Sequence, residues 1–188
     1  MKYKVSMSGE LNLVIGPMYS GKSTELLRIY NKFKRNYKIL VINHQTDNRY
    51  GNNSVNTHNE DSIESISTEE LCPINIGSLA LKNDIILIDE GQFFNDLYEF
   101  CKNIVEKHNK IVYVFGLSGD SSRKKFGQIL DLIPICDNIK YLKSICNKCE
   151  NVKDASFTLR TSNNIEQVSI GGSEEYMAVC RECWLSYH

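Results

Sequence analysis

Leu11-Asn12-Leu13-Val14-Ile15-Gly16-Pro17-Met18-Tyr19-Ser20-Gly21-Lys22-Ser23-Thr24 is the stretch that decides the fold. Its second half fits G-x-x-x-x-G-K-[ST] at every fixed position. The run Leu11 to Ile15 is apolar enough for a buried strand. Thr24 to Tyr30 places Leu26, Leu27 and Tyr30 at helical spacing. Strand, glycine-rich loop and helix together are the setting a phosphate-binding loop requires. The glycines let the backbone curl so that its N–H groups face an anion, and the helix adds its positive end. Lys22 is then the group that reaches the β- and γ-phosphates. The Ser23 hydroxyl is the group that ligates Mg²⁺. The plain alternative is an ordinary glycine-rich turn.

Outward from this loop, three more apolar runs read as buried parallel strands: Lys38–Asn43, Asp84–Asp89 and Ile111–Leu117. Asn95 to His108 reads as a helix, with Leu97, Phe100, Cys101, Ile104 and Val105 on one face and Asn95 as its N-cap. Ser67-Thr68-Glu69-Glu70 has the capping-box pattern and predicts a short helix near Leu71. Tyr50 to Asp61 is polar and rich in Asn, as a loop is. Strands alternating with helices predict an α/β domain built on a mostly parallel sheet. Near Ser144 the texture changes to two Cys pairs around short strand-like runs, Ser156–Leu159 and Glu166–Ile170, with a Gly171-Gly172 turn. Residues 1–143 therefore read as a phosphate-loop α/β domain and 144–188 as a small second domain.

Composition narrows the function. A hydrophobic content of 41% suits a globular core, and a net charge of −1 lacks the basic footprint of a nucleic-acid binder. The one dense basic cluster, Arg123-Lys124-Lys125, reads as a solvated loop. No apolar run approaches the ~20 residues of a membrane span, and Met1 to Glu10 holds no secretion signal. A cytoplasmic protein without membrane or nucleic-acid partners is expected. Its seven cysteines then need a role other than disulfides.

Asp89 closes the run Ile85-Ile86-Leu87-Ile88, where a Walker B carboxylate would hold Mg²⁺. A strand-end Asp that caps the next turn is the alternative. Glu90 follows at once, and successive strand side chains diverge. One carboxylate can serve the metal while the other orients the acceptor hydroxyl and takes its proton. Otherwise Glu90 is a second carboxylate around the metal. Cys146-x-x-Cys149 and Cys180-x-x-Cys183 form two C-x-x-C pairs with 30 residues between them. Two such pairs can close a tetrahedral S₄ zinc site of structural type, although the gap exceeds the usual ~15–20 residues. A redox role would need only one pair. Cys72, Cys101 and Cys136 read as core fillers. Phe93, Phe94, Phe126 and Tyr176 are either core or pocket aromatics.

GPMYSGKSTEL from Gly16, DNRYG from Asp47, DEGQFF from Asp89, IGG-x₃-Y from Ile170 and the paired C-x-x-C motifs stand in a fixed order. In this the chain, from Leu11 to Cys183, resembles the type II (thymidine kinase-1-like) thymidine kinases. The resemblance implies transfer of the γ-phosphoryl of ATP to the 5′-hydroxyl of thymidine. It also implies a P-loop NTPase-like α/β domain and a small zinc-ribbon domain whose lasso loop, about Thr158 to Tyr176, covers the base. Mg²⁺ with ATP, one structural Zn²⁺ per chain, feedback by dTTP, a homotetramer and a cytoplasmic setting (the host cytoplasm for a viral enzyme) belong to the same expectation.

By the same resemblance Glu90 matches the general base. Gly16, Pro17, Met18, Tyr19, Ser20, Gly21, Lys22, Ser23, Asp47, Arg49, Asp89 and Gln92 match the ATP and Mg²⁺ side. Met18, Phe93, Leu117, Ser121, Phe126, Thr158, Ile170, Gly171 and Tyr176 match the nucleoside side. Cys146, Cys149, Cys180 and Cys183 match the zinc ligands. The chain departs from the family at Ser118, where an aspartate is usual, at Ser121, where an aromatic packs on the base, and at Lys125, often a proline. The altered pocket brings in a second expectation, a kinase of deoxyuridine or another deoxynucleoside. A third, of another class, is a zinc-ribbon nucleic-acid-binding module on a nucleotide switch. The near-zero net charge argues against it.

Overall fold

The computed structural model describes residues 8–46, 54–56, 62–161 and 175–187. Asp47, Arg49, Ile170 and Gly171, the expected strand Glu166–Ile170 and most of the expected lasso lie outside them. Six strands form one sheet: β1 (Glu10–Gly16), β2 (Ile39–His44), β5 (Ile66–Thr68), β6 (Ile85–Ile88), β7 (Ile111–Leu117) and β8 (Asn138–Tyr141). Their order is β5-β2-β6-β7-β1-β8 and every pairing is parallel. The expected α/β class with a parallel sheet is the observed one.

Side-chain alternation sorts the apolar residues of each strand onto two faces. Leu11, Leu13 and Ile15 of β1 pack with Leu40, Ile42, Ile86, Ile88, Val112 and Val114. Helices α2 (Ile74–Lys82) and α3 (Leu97–Glu106) cover that face. Val14, Val41, Ile85, Leu87 and Phe115 point the other way, under α1 (Lys22–Phe33). Central strands covered on both sides must be apolar throughout, which is why β6 reads IILI. Leu97, Phe100, Cys101 and Ile104 anchor α3, and burying a large apolar side chain of this kind contributes ~1.5–3 kcal/mol.

Several elements differ from the sequence reading. Helix α3 is capped by Asp96, not Asn95, and without a side-chain hydrogen bond. The Asp96 carboxylate instead accepts the N–H groups of Leu71 (2.8 Å) and Cys72 (2.7 Å). No helix starts at the Ser67–Glu70 pattern. Thr68 ends β5 and its hydroxyl donates to the carbonyl of Glu70 at 2.9 Å. The helix begins past Pro73, because a proline beyond the first turn would clash with the preceding carbonyl. The Tyr50–Asp61 stretch is not all loop: β3 (Ser54–Asn56) pairs antiparallel with β4 (Ser62–Glu64). Cys101 is buried, as a core filler is, but Cys72 is exposed.

The chain beyond β8 builds a small lobe. There β9 (Ser144–Ile145) pairs with β10 (Asp154–Ala155), β11 (Phe157–Arg160) pairs with β12 (Tyr176–Val179), and α4 (Arg181–Leu185) follows. Its own core holds Ala155, Leu159, Ala178, Val179 and Trp184 beside the cysteines.

Candidate active site

The glycine-rich loop leaves the carboxyl end of β1 and enters α1 through Gly21, whose φ of 82° and ψ of 23° lie in the left-handed region. Gly21 caps α1, so the N-cap position itself brings no side chain to the front of the helix. Lys22 lies folded over the loop, its ammonium donating to the carbonyls of Pro17 (2.7 Å) and Gly16 (3.4 Å). Ser20 Oγ is buried and has no hydrogen-bond partner among the described residues. The loop is also tied outward. The Met18 N–H donates to Thr158 Oγ1 of the small lobe (3.0 Å), and Tyr19 packs against that lobe's core.

Asp89 and Glu90 stand at the same end of the sheet. In register Gly16 lies beside Leu117, while Ile88 lies beside Val114 and Ile42. Only β7 lies between β6 and β1, so the two strands run roughly 10 Å apart at the usual strand spacing, with β6 ending level with Leu13 of β1. Asp89 is buried, and its Oδ1 accepts the Glu90 N–H at 3.0 Å. Glu90 is left-handed without being a glycine, with φ 51° and ψ 41°. Such a backbone is costly and marks a place where the surroundings dictate the turn. It breaks the strand direction and opens the 3₁₀ turn Gly91–Phe93.

Gln92 fixes the Glu90 carboxylate. Its Nε2 donates to Glu90 Oε2 (2.5 Å), and its Oε1 accepts the Leu117 N–H (3.0 Å). Gly116 permits this bridge, since a Cβ there would collide with Gln92 Oε1. Gln92, expected on the nucleotide side, is thus a buried clamp between Glu90 and the end of β7.

The aromatics divide. Phe94 is core, whereas Phe93 is half-buried and meets Phe126 edge-on with ring centroids 5.3 Å apart. His44, which the sequence reading missed, completes this group at 5.4 Å from Phe93 and 4.7 Å from Phe94. Burial pushes its imidazole below the ordinary value. Its Nδ1 accepts the Thr46 N–H, and the ring lies in the same aromatic row. Leu117 and Ser121 are half-buried. Tyr176 is buried, and its hydroxyl accepts from Arg160 Nε (3.0 Å) and Nη2 (2.5 Å). Arg160 carried no sequence signal apart from being a charge at the end of a strand-like run.

The departures from the family pattern lie in one loop, where the Ser118 and Lys125 side chains find partners and the Ser121 carbonyl accepts from Trp184 Nε1. Ser118 Oγ is 3.3 Å from the Tyr141 hydroxyl. Asp120 Oδ1 accepts the N–H groups of Ser122 (2.9 Å) and Lys124 (2.8 Å). The Lys125 ammonium pairs with both oxygens of Asp131, at 2.7 and 2.6 Å.

In the small lobe Cys146, Cys149, Cys180 and Cys183 bring their sulfurs within 4.8 Å of one another. Cys149 Sγ lies 3.7 Å from that of Cys180 and 3.5 Å from that of Cys183. A tetrahedral ion with bonds of ~2.3 Å separates its sulfurs by ~3.8 Å. The four thiols are therefore positioned to bind a metal ion such as zinc, and all seven cysteines are free of disulfides.

A phosphate-type loop closing a central parallel strand, with a carboxylate pair two strands away, defines a P-loop α/β protein. The model of the thymidine kinase family matches residues 9–184, and the chain belongs to that family. Thymidine kinase of Myxoma virus (strain Uriarra) is 41% identical over 177 residues, covering 94% of this chain and 96% of that protein. Thymidine kinase of Vaccinia virus (strain Western Reserve) is 40% identical over 178 residues, covering 94% and 97%. Thymidine kinase of Sheeppox virus (strain KS-1) is 41% identical over 177 residues, again 94% and 97%.

Proposed function

We propose that this chain is an ATP-dependent thymidine kinase. It transfers the γ-phosphoryl group of ATP to the 5′-hydroxyl of thymidine and gives thymidine monophosphate and ADP. The observation that carries this reading is the placement of Glu90 at the same end of the sheet as the Gly16–Ser23 loop, its carboxylate held by Gln92. The 5′-oxygen attacks the γ-phosphorus, the bond to the bridging oxygen breaks, and ADP leaves with that electron pair. Glu90 accepts the hydroxyl proton. Backbone N–H groups of the loop, the Lys22 ammonium and the amino end of α1 stabilise the phosphates. The partnerless Ser20 hydroxyl fits that role, because a phosphate oxygen would satisfy it.

Ser23 and Asp89 are the residues that would hold Mg²⁺, whose positive charge would offset the negative charge of the phosphates. Asp47 and Arg49 belong to the same phosphate side. The nucleoside is assigned to Met18, Phe93, Leu117, Ser121, Phe126, Thr158 and Tyr176, with Ile170 and Gly171 of the lasso over the base. The metal at the four cysteines is zinc, one per chain, and it supports the lobe without taking part in the chemistry. A division at residue 143, a homotetramer, feedback by dTTP and a cytoplasmic site of action complete the proposal. Among the described residues no helix is long and apolar enough to cross a membrane.

A second reading, deoxyuridine or another deoxynucleoside as the preferred acceptor, is favoured by one observation. Ser121 offers no ring to the base. A panel of nucleosides with Mg²⁺-ATP separates the two. Thymidine monophosphate as the fastest-formed product is expected. Faster phosphorylation of another nucleoside would replace the substrate, and no phosphorylation of any nucleoside would overturn the assignment.

A further inference from the structure

The loop 118–125 is built by its own residues but moored elsewhere. Asp120 shapes it: the Asp120 N–H donates to the Lys124 carbonyl (3.0 Å) and the Arg123 N–H to the Asp120 carbonyl (3.0 Å). With the two carboxylate contacts this makes a closed turn whose tip, Arg123, has φ 60°. The tip lies against the small lobe. Trp184 Nε1 donates to the Ser121 carbonyl at 3.2 Å. The Arg123 guanidinium stacks 3.6 Å from the Trp184 ring centroid and 5.5 Å from that of Phe157. Trp184 is buried, follows Cys183 directly, and belongs to the lobe's own core.

We infer that Trp184 and Arg123 form a latch that positions the Ser118–Phe126 loop for the nucleoside. They are positioning residues for substrate capture, not part of phosphoryl transfer. The inference rests on the reading above that Leu117, Ser121 and Phe126 line the nucleoside site. The physical argument is one of restraint. A turn shaped only by Asp120 could swing as a unit about its ends. The indole N–H fixes the backbone of Ser121 itself, and the guanidinium, stacked on the indole with Phe157 further off, fixes the tip. Arg123 is exposed, so its stack on the indole contributes about as much as an exposed ion pair, and the indole N–H adds the rest of the restraint. Because the latch starts next to a metal-binding cysteine, it passes the order of the small lobe to the nucleoside side of the main sheet by a route separate from the lobe's contact with Met18 and Tyr19.

The test uses the whole chain and two variants. Arg123→Met removes the cation and keeps most of the stem's length. Trp184→Phe keeps a ring and removes the N–H. Each is expected to raise the KM for thymidine about three- to tenfold, with kcat and the KM for ATP within about twofold. Arg123→Lys should recover part of the loss. Trp184 is the chain's single tryptophan, so its emission reports the latch directly. Arg123→Met should shift that emission in the absence of substrate, with the cysteine-bound metal content unchanged. An unchanged thymidine KM in both variants overturns the latch. So does a joint loss of metal, kcat and both KM values, which would mean that the pair merely holds the lobe together. A wild type that phosphorylates no nucleoside overturns the functional reading instead, and this proposal falls with it.

Discussion

The phosphate loop and the loop 118–125 stand at the ends of neighbouring strands, β1 and β7, and are held in opposite ways. The first is made mostly locally, with one long-range tie from the Met18 N–H to Thr158 Oγ1. Lys22 reaches back five residues to Pro17, Gly21 supplies the turn, and α1 begins at once. The second depends on residues far away in the chain: Trp184 reaches Ser121 across 63 positions, and Tyr141 reaches Ser118 across 23. A locally made site keeps its form whenever its own strand and helix are in place. A distantly held one answers to the lobe it leans on. The two sides of the proposed active site should therefore fail differently.

The harshest test of that contrast is Lys22→Ala. Removing the charge that meets the migrating phosphoryl should cost about 10³-fold or more in kcat. Circular dichroism should be unchanged, because β1 and α1 do not depend on the ammonium, although its bonds to Gly16 and Pro17 are lost. Turnover near that of the wild type would mean that the loop does not hold the reacting phosphate. Next in size is Glu90→Gln, expected to lower kcat by about 10²-fold or more while ATP binding, read by calorimetry, stays the same. If Asp89→Asn gave the pure kcat loss instead, the two carboxylates would have to exchange roles.

Cys149→Ser probes the distant side. It should release the metal, seen by elemental analysis, and lower the melting temperature of the lobe, because a structural metal contributes folding free energy. The KM for thymidine should rise by more than that for ATP. Equal effects on both substrates would erase the distinction between the two sides. Ser121→Phe sharpens it from the other direction. A ring offered to the base should lower the KM for thymidine by up to about tenfold, a kcal/mol or two of burial, with the KM for ATP unmoved. A higher thymidine KM would mean that the latched backbone cannot admit the ring.

The smallest effect belongs to α1, where Glu25 is buried but its two partners are exposed. The Arg28 guanidinium, and then Lys140, hold the Glu25 carboxyl down to about 2. Its folded value lies below the unfolded one, so its stabilisation is full above the ordinary carboxylate range and fades as pH falls toward 2. Both partners are more than half exposed, so Glu25→Gln should cost under about 1 kcal/mol at pH 7. Urea midpoints for variant and wild type should converge in acid. A difference that persisted there would place the effect in packing.

The contrast also explains what could be read in advance. Strands β1, β2, β6 and β7 announce themselves because burial on both faces demands unbroken apolar runs. Edge strand β8 does not, since Asn138–Tyr141 is exposed throughout and carries no pattern. The phosphate loop, the carboxylates after β6 and the cysteine pairs are motifs of fixed local spacing. His44, Arg160 and Trp184 are ordinary residue types whose partners come from other elements. No spacing announces His44 beneath Phe93, although its place at the end of a buried strand beside the phosphate side was a usable hint. The Ser67–Glu70 pattern misled because Thr68 satisfied its hydroxyl two residues on, inside a turn that leads out of a strand. Asn95 lost the cap to Asp96 because the chain entering from Leu71 needed a carboxylate just there.

The strand order has a consequence for the newborn chain. Strand β1 is made first, yet its two neighbours are Ile111–Leu117 and Asn138–Tyr141. During synthesis its apolar run therefore waits, with both edges unpaired, until most of the main sheet has left the ribosome. Parallel pairing across so long a separation is slow and leaves edges open to other chains. A polypeptide released before β7 carries a complete phosphate-loop sequence and no sheet partner for the strand that presents it. Such fragments should be insoluble and unable to retain ATP, and the first soluble, ATP-retaining product in a truncation series should be one that extends beyond residue 141.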